Sequence, residues 1–160
     1  MSTTEKRPPS PADVKRYREN YQGEVDGVAL YRRLARAEKN PERSQIFLDL
    51  AETETRHMQM WRDRLRSAGA DPGELRPSLR VRVLGFLADR LGARAVLPMV
   101  SAMESTGFDN YMAQAEAGPA MARDERSHSR TLSTMYSPGG STDVAGIVRG
   151  ERWHQGHCPS

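Results

Sequence analysis

Four stretches of this chain read as amphipathic helices, and each carries ionisable residues in the middle of its apolar face. Few folds tolerate that pattern. A carboxylate buried without a partner costs roughly several kcal/mol, so converging carboxylates demand cations between them. The first stretch sets Tyr17, Tyr21, Val28, Tyr31 and Ala35 around Glu24, in steps of three and four. The second sets Phe47, Leu50, Trp61 and Leu65 around Glu54 and His57. The third sets Leu97, Val100, Gly107, Phe108 and Tyr111 around Glu104. The fourth sets Met121, Leu132 and Met135 around Glu125 and His128.

Punctuation between the stretches supports the helices. Ser10-Pro11-Ala12-Asp13 supplies an N-cap, a proline at the first helical position and an acid in the first turn. The first helix should run from there to about Glu38. Asn40-Pro41-Glu42 repeats the signal, and the second helix should run to about Ala68, stopped by Gly69. The two form an antiparallel hairpin of helices about 40 Å long. Residues 69–78 read as a loop. Leu79 to Leu91 reads as a short crossover helix packed on the bundle through Leu79, Val83, Phe86, Leu87 and Leu91. Its arginines, Arg80, Arg82 and Arg90, suit a membrane surface less well than this packing. The third helix should run from about Ala93 to Gln114, with Pro98 bending it or marking its start. Gly118-Pro119 opens the fourth, which should end near Tyr136. No period-2 run suggests a strand. The expected fold is an all-α four-helix bundle with a long connection between its second and third main helices. It occupies residues 10–136, after a disordered 1–9 and before a linker, short helix and tail at 137–160.

Glutamates on two helices and Glu-x-x-His on the other two make the di-iron carboxylate pattern of helical bundles. Spacing i, i+3 puts Glu and His one turn apart on one side, so both reach one metal. Glu24 and Glu54 lie nearly equal distances from the Asn40 turn, and so face each other. Glu104 meets Glu125 only if the third helix ends near Tyr111 to Gln114. The expected metal ligands are Glu24, Glu54, His57, Glu104, Glu125 and His128. Mixed oxygen and nitrogen donors suit iron, with manganese or zinc as substitutes.

Other features carry plainer readings. Gly23 and Gly27 suggest close helix approach. Tyr21, Tyr31 and Tyr111 are core residues that could also donate hydrogen bonds to the ligating carboxylates. Glu38, Glu52 and Glu116 read as solvated charges. His154, His157 and Cys158 cluster in the tail. The lone cysteine excludes an intramolecular disulfide and any four-cysteine iron site. Basic residues number 24 against 21 acids, and they are scattered, so nucleic acid is not an expected partner. No apolar run approaches the roughly 20 residues of a membrane span, and Met1–Ser10 lacks an apolar signal region. Cytoplasmic location is the expectation, at the inner face of the membrane where a transporter is fused or associated.

The stretches YRENYQGEVDGVALYRRLARAEKNPE (17–42), LAETETRHMQMW (50–61), GARAVLPMVSAMES (92–105), AMARDERSHSRTL (120–132) and GERWHQGH (150–157) carry a family likeness. The chain resembles a rubrerythrin/ferritin-like domain. More narrowly, it resembles the domain that precedes the membrane part of erythrin–vacuolar iron transporter fusion proteins. The resemblance implies a di-iron site on the six residues above, without the rubredoxin centre of rubrerythrins proper. It implies the soluble part of an iron transport and detoxification system, binding Fe(II) and oxidising it with O2 or peroxide as a ferroxidase. A non-catalytic iron sensor or delivery module for a membrane iron transporter is the alternative, and a structural dimerising bundle a further one. Expected partners are Fe(II), a second copy of the chain and a membrane iron-transport domain.

Overall fold

The computed structural model describes residues 8–114 and 116–135. Five helices follow in order: α1 (Pro11–Ala37), α2 (Pro41–Ser67), α3 (Leu79–Leu91), α4 (Ala93–Met112) and α5 (Gly118–Met135). No strand occurs among the described residues, and the architecture is the expected all-α ferritin-like bundle. The expected disordered start lies largely outside the described residues. So do the linker and short helix after the bundle and the His154, His157 and Cys158 cluster.

The helix ends follow from their capping chemistry. Ser10 and Asp13 form a reciprocal box, with the Ser10 amide donating to Asp13 Oδ2 at 2.8 Å and the Asp13 amide to Ser10 Oγ at 3.2 Å. Asn40 Oδ1 accepts from the Arg43 amide at 2.9 Å and starts α2. Glu38, expected to be solvated, instead ties down this hairpin turn. It accepts from the Asn40 amide at 2.9 Å and from Arg43 at 3.0 Å. Glu116 likewise bonds Arg16 at 2.8 Å across the bundle. Gly92, at φ +88°, is the whole link between α3 and α4, in a conformation that strongly favours glycine. Helix α4 starts right after it and runs through Pro98.

Two apolar clusters fill the ends of the bundle. One gathers Leu30, Tyr31, Leu34, Phe47, Val96, Val100 and Leu132; the other gathers Tyr17, Tyr21, Trp61, Leu65, Tyr111 and Met121. Along α1, α2, α4 and α5 the ionisable residues sit between the contributions to these two clusters. The core is thus divided by a polar layer across its middle.

The crossover helix corrects one expectation. Its buried face is Val81, Leu84, Gly85 and Ala88, whereas Leu79, Val83, Phe86 and Leu91 are exposed and Leu87 is only partly covered. Small residues decide the orientation. Gly85 lets α3 approach Arg33 of α1 so closely that a Cβ there would stand 2.6 Å from Arg33 Cδ. The Arg33 guanidinium then reaches past it to Asp89 Oδ2 at 2.6 and 2.8 Å. Asp26 Oδ1 accepts from the Ser78 amide at 2.7 Å and fixes the start of α3.

Candidate metal centre

All six expected ligands come together, and all six are buried. One ligand atom from each of Glu24, Glu54, His57 and Glu125 lies within 4.8 Å of the others. The same holds for Glu54, Glu104, Glu125 and His128. Each group therefore offers three carboxylates and one imidazole. Glu54 and Glu125 belong to both groups, as expected of carboxylates that bridge two cations. The meeting of Glu104 with Glu125 depends on α4 ending at Met112, which leaves residues 113–117 to turn the chain.

Orientation follows from helical spacing. Glu54 and His57 rise one turn apart on α2, and Glu125 and His128 do the same on α5. Both histidines turn Nδ1 inward: His57 Nδ1 is 3.7 Å from Glu24 and Glu125 oxygens, and His128 Nδ1 is 2.9 Å from Glu54 Oε1. Buried Nδ1 of His57, Nδ1 of His128, Glu54 Oε1 and Glu104 Oε2 nevertheless lack an aligned hydrogen-bond partner. The 2.9 Å approach of His128 to Glu54 is thus proximity without a proton on the line between them. Buried polar atoms without partners are rare in folded proteins, and four converging on one spot fit a divalent metal pair.

The electrostatics fit as well. Burial, followed by the charges of Glu54 and Glu104, pushes the Glu125 carboxyl up to about 11. Burial and then Glu24 raise Glu54 well above the carboxylate range. Burial raises Glu104 too, but His128 and the Tyr31 hydroxyl outweigh it and hold Glu104 below its ordinary value. Burial opposes the charged form of both histidines. Asp124 and Glu24 overcome this for His57, and Glu104 for His128, so both end above the ordinary imidazole value. Both shared carboxylates are thus shifted towards their protonated forms, and a metal pair would displace such protons.

Hydroxyls steady the outer carboxylates. Tyr31 Oη donates to Glu104 Oε1 at 2.6 Å, and Tyr111 Oη donates to Glu24 Oε1. Two of the three tyrosines thus touch the site; Tyr21 is buried in the adjoining apolar cluster. Two glycines make room. A Cβ at Gly27 would stand 3.0 Å from Glu54 Oε2, and one at Gly107 would stand 3.2 Å from Glu125 Oε2. Gly23, by contrast, has nothing near it.

One participant was missed in the sequence. Asp124 Oδ2 lies 2.9 Å from His57 Nε2, the nitrogen that points away from the centre. Such a carboxylate fixes ring orientation and tautomer in metal sites. Asp124 sits off the inner stripe of its helix, and its position beside Glu125 was the one available signal.

No curated protein and no solved structure matches the chain. The pattern of the family described as "Ubiquinone biosynthesis protein COQ7" matches residues 14–137, from the first turn of α1 past the end of α5. With that match, the chain belongs to the COQ7 family of ferritin-like di-iron carboxylate proteins.

Proposed function

We propose that this bundle binds two Fe(II) ions between Glu24, Glu54, His57, Glu104, Glu125 and His128 and oxidises them, as a ferroxidase module of an iron transport or detoxification system. The observation that carries the reading is the pair of overlapping donor groups sharing Glu54 and Glu125. Hard carboxylate oxygens dominate each group, with one imidazole apiece, which suits iron above softer metals. Manganese and zinc would fit the same donors.

Iron is the substrate in this reading. Two Fe(II) ions supply the two electrons that reduce O2 to peroxide, or peroxide to two hydroxides. The chain prepares the site for them. Glu54 and Glu125, common to both donor groups, would hold both ions and release any proton they carry as the ions enter. His57 and His128 present one Nδ1 each. Glu24 and Glu104 hold the outer sides, kept in place by the Tyr111 and Tyr31 hydroxyls. Asp124 keeps the His57 ring aimed inward. Expected partners remain a second copy of the chain and a membrane iron-transport domain of the kind in the erythrin–vacuolar iron transporter fusions.

The test is anaerobic loading with Fe(II) followed by air. Ferric absorbance should grow faster than in a protein-free control. Equal growth would reject oxidation and leave a binding module, the sensor or delivery reading. Glu54→Ala removes a donor from both groups and should abolish stoichiometric iron binding; retained iron would reject the ligand assignment.

The family description favours a second reading, in which the same centre serves a step of ubiquinone biosynthesis. Incubating the iron-loaded chain with a ubiquinone precursor, O2 and a reductant, then weighing the products, separates the two.

A further inference from the structure

Two tyrosine hydroxyls hold the outer carboxylates, Tyr31 on Glu104 and Tyr111 on Glu24, but the rings behind them differ. Behind Tyr31 stands Phe47, 6.4 Å away between ring centres and fully buried. A phenylalanine ring does not yield an electron under mild oxidation, so that side is closed. Behind Tyr111 stands Trp61 at 6.0 Å, and behind Trp61 stands Tyr17 at 5.6 Å. Tyrosine and tryptophan are the aromatic side chains that one-electron oxidants attack, and rings this close exchange electrons readily. The row leads outward. Trp61 is fully covered, whereas Tyr17, in the second turn of α1, lies under the half-buried Arg16 guanidinium, 5.6 Å from its ring centre.

Trp61 suits a bridge and not a resting place. Its Nε1 is buried with no hydrogen-bond partner among the described residues, so an oxidised ring has nowhere to send its proton. It would keep a positive charge inside an apolar cluster, 5.5 Å from the Arg64 guanidinium. A tyrosine that loses an electron together with its phenolic proton stays neutral. The oxidation therefore settles on Tyr111 or Tyr17.

We propose that Tyr111, Trp61 and Tyr17 form an electron relay that supplies the metal centre with a single electron when iron alone cannot complete the reduction of peroxide. Reducing hydrogen peroxide to two waters takes two electrons and two protons. A full centre draws both electrons from two Fe(II) ions. A centre holding one Fe(II) lacks the second electron. That ion becomes Fe(III), and Tyr111 gives the other electron while its proton crosses to Glu24 Oε1, the oxygen it already bonds. The two protons of the waters come from solvent. Trp61 then returns an electron to Tyr111, which takes its proton back from Glu24. Tyr17 returns an electron to Trp61 and releases its phenolic proton to solvent. A one-electron reductant of the ascorbate class restores Tyr17 with an electron and a proton. The proposal rests on the iron-oxidising reading above, and its test reads the two separately.

The full chain, loaded anaerobically with one Fe(II) per molecule, is mixed with one equivalent of hydrogen peroxide and frozen. Electron paramagnetic resonance should show an organic radical whose signal narrows when the protein carries ring-deuterated tyrosine. Trapping with a nitroso compound before digestion should mark Tyr17. Variants are compared at equal iron content and after circular dichroism confirms the fold. Tyr31→Phe should behave as the parent. Tyr111→Phe should lose both the tyrosine radical and the Tyr17 mark. Trp61→Phe should keep the radical, held on Tyr111, and lose the Tyr17 mark. Tyr17→Phe removes only a hydroxyl and keeps the test open where Trp61→Phe fails to fold; ascorbate should quench its radical more slowly than that of the parent. Ferric absorbance without a tyrosine radical in the parent would overturn the relay and leave iron oxidation standing. Ferric absorbance growing no faster than in a protein-free control would overturn both. A parental yield of radical in Tyr111→Phe, a Tyr17 mark retained in Trp61→Phe, or equal quenching of the parent and Tyr17→Phe would each overturn the relay.

Discussion

Glu54 occupies the middle of the bundle because Gly27 has no side chain: a Cβ at Gly27 would meet Glu54 Oε2 at 3.0 Å and Cγ at 3.2 Å. Gly107 stands in the same relation to Glu125. The two carboxylates shared by both donor groups are thus each backed by a glycine on a neighbouring helix. In an ordinary helix interior, alanine is favoured over glycine by about 1 kcal/mol. The glycines serve the site at some cost to the helices.

Gly27→Ala should therefore separate stability from metal binding. The contact is short but meets a side chain, so Glu54 can give way by a few tenths of an ångström and the bundle should still fold. Thermal melting of the metal-free protein should stay the same or rise. Affinity for metal, measured by competition with a chelator, should fall by roughly tenfold, the scale seen when a ligand's orientation is disturbed. Equal affinity in the two proteins would show that Glu54 does not need its present position.

The hydroxyls of Tyr111 and Tyr31 make a second prediction. Tyr111→Phe keeps the ring that stacks on Trp61, 6.0 Å away between centres, and removes only the donor to Glu24. A buried acceptor that loses its donor is destabilised by about 1–3 kcal/mol. Metal affinity should drop by about tenfold with little change in circular dichroism. Tyr31→Phe should act the same way through Glu104. If both variants bind metal as the parent does, the hydroxyls are core features without influence on the centre.

Much of this arrangement was legible in the sequence. The inner stripes of α1, α2, α4 and α5 emerge because a 3.6-residue period fixes which residues share a face. The place of Glu24 opposite Glu54 follows from their equal distance to one turn. What was not legible depends on tertiary contact. The orientation of α3 is set by Gly85 against Arg33, a close approach that favours the small-residue face over the face of Leu79, Val83, Phe86, Leu87 and Leu91. Periodicity ranks faces by apolar size and is blind to such approaches. Glu38 looked solvated because its partners lie in a turn rather than one helical turn away. Asp124 escaped because it acts across helices, on the far nitrogen of His57.

That contact leads to a third prediction. Asp124→Ala leaves His57 Nε2 without its acceptor and frees the ring to turn or change tautomer. The side chain of Asp124 is 45% exposed, so folding stability should change little. Metal affinity should fall unequally. The donor group holding His57 should weaken by about tenfold or more, while the group holding His128 stays close to the parent. At limiting metal, a chelator titration should show binding split into a strong and a weak step. Two equal steps would show that Asp124 does not position the ring.

The fourth prediction concerns protons. Glu125 is pushed up to about 11, so its carboxyl is protonated in the metal-free protein at neutral pH, and burial shifts Glu54 in the same direction. A carboxyl whose folded value is raised contributes stability that is fully present below its unfolded value, near 4.5, and is lost as pH rises towards the folded value. The histidines, raised above 6.5, add a contribution of the same sign. Metal-free protein should therefore melt at progressively lower temperature as pH is raised from mildly acidic to alkaline. Metal takes the place of these protons, so the loaded protein should escape that decline, and the gain in melting temperature on loading should widen with pH. Loading should also release protons. Calorimetric titration at neutral pH, in two buffers of different ionisation enthalpy, should return a positive number of protons released per pair of metal ions. A value near zero would mean that the shared carboxylates are already ionised before metal arrives, and the charge balance of the empty centre would have to come from elsewhere.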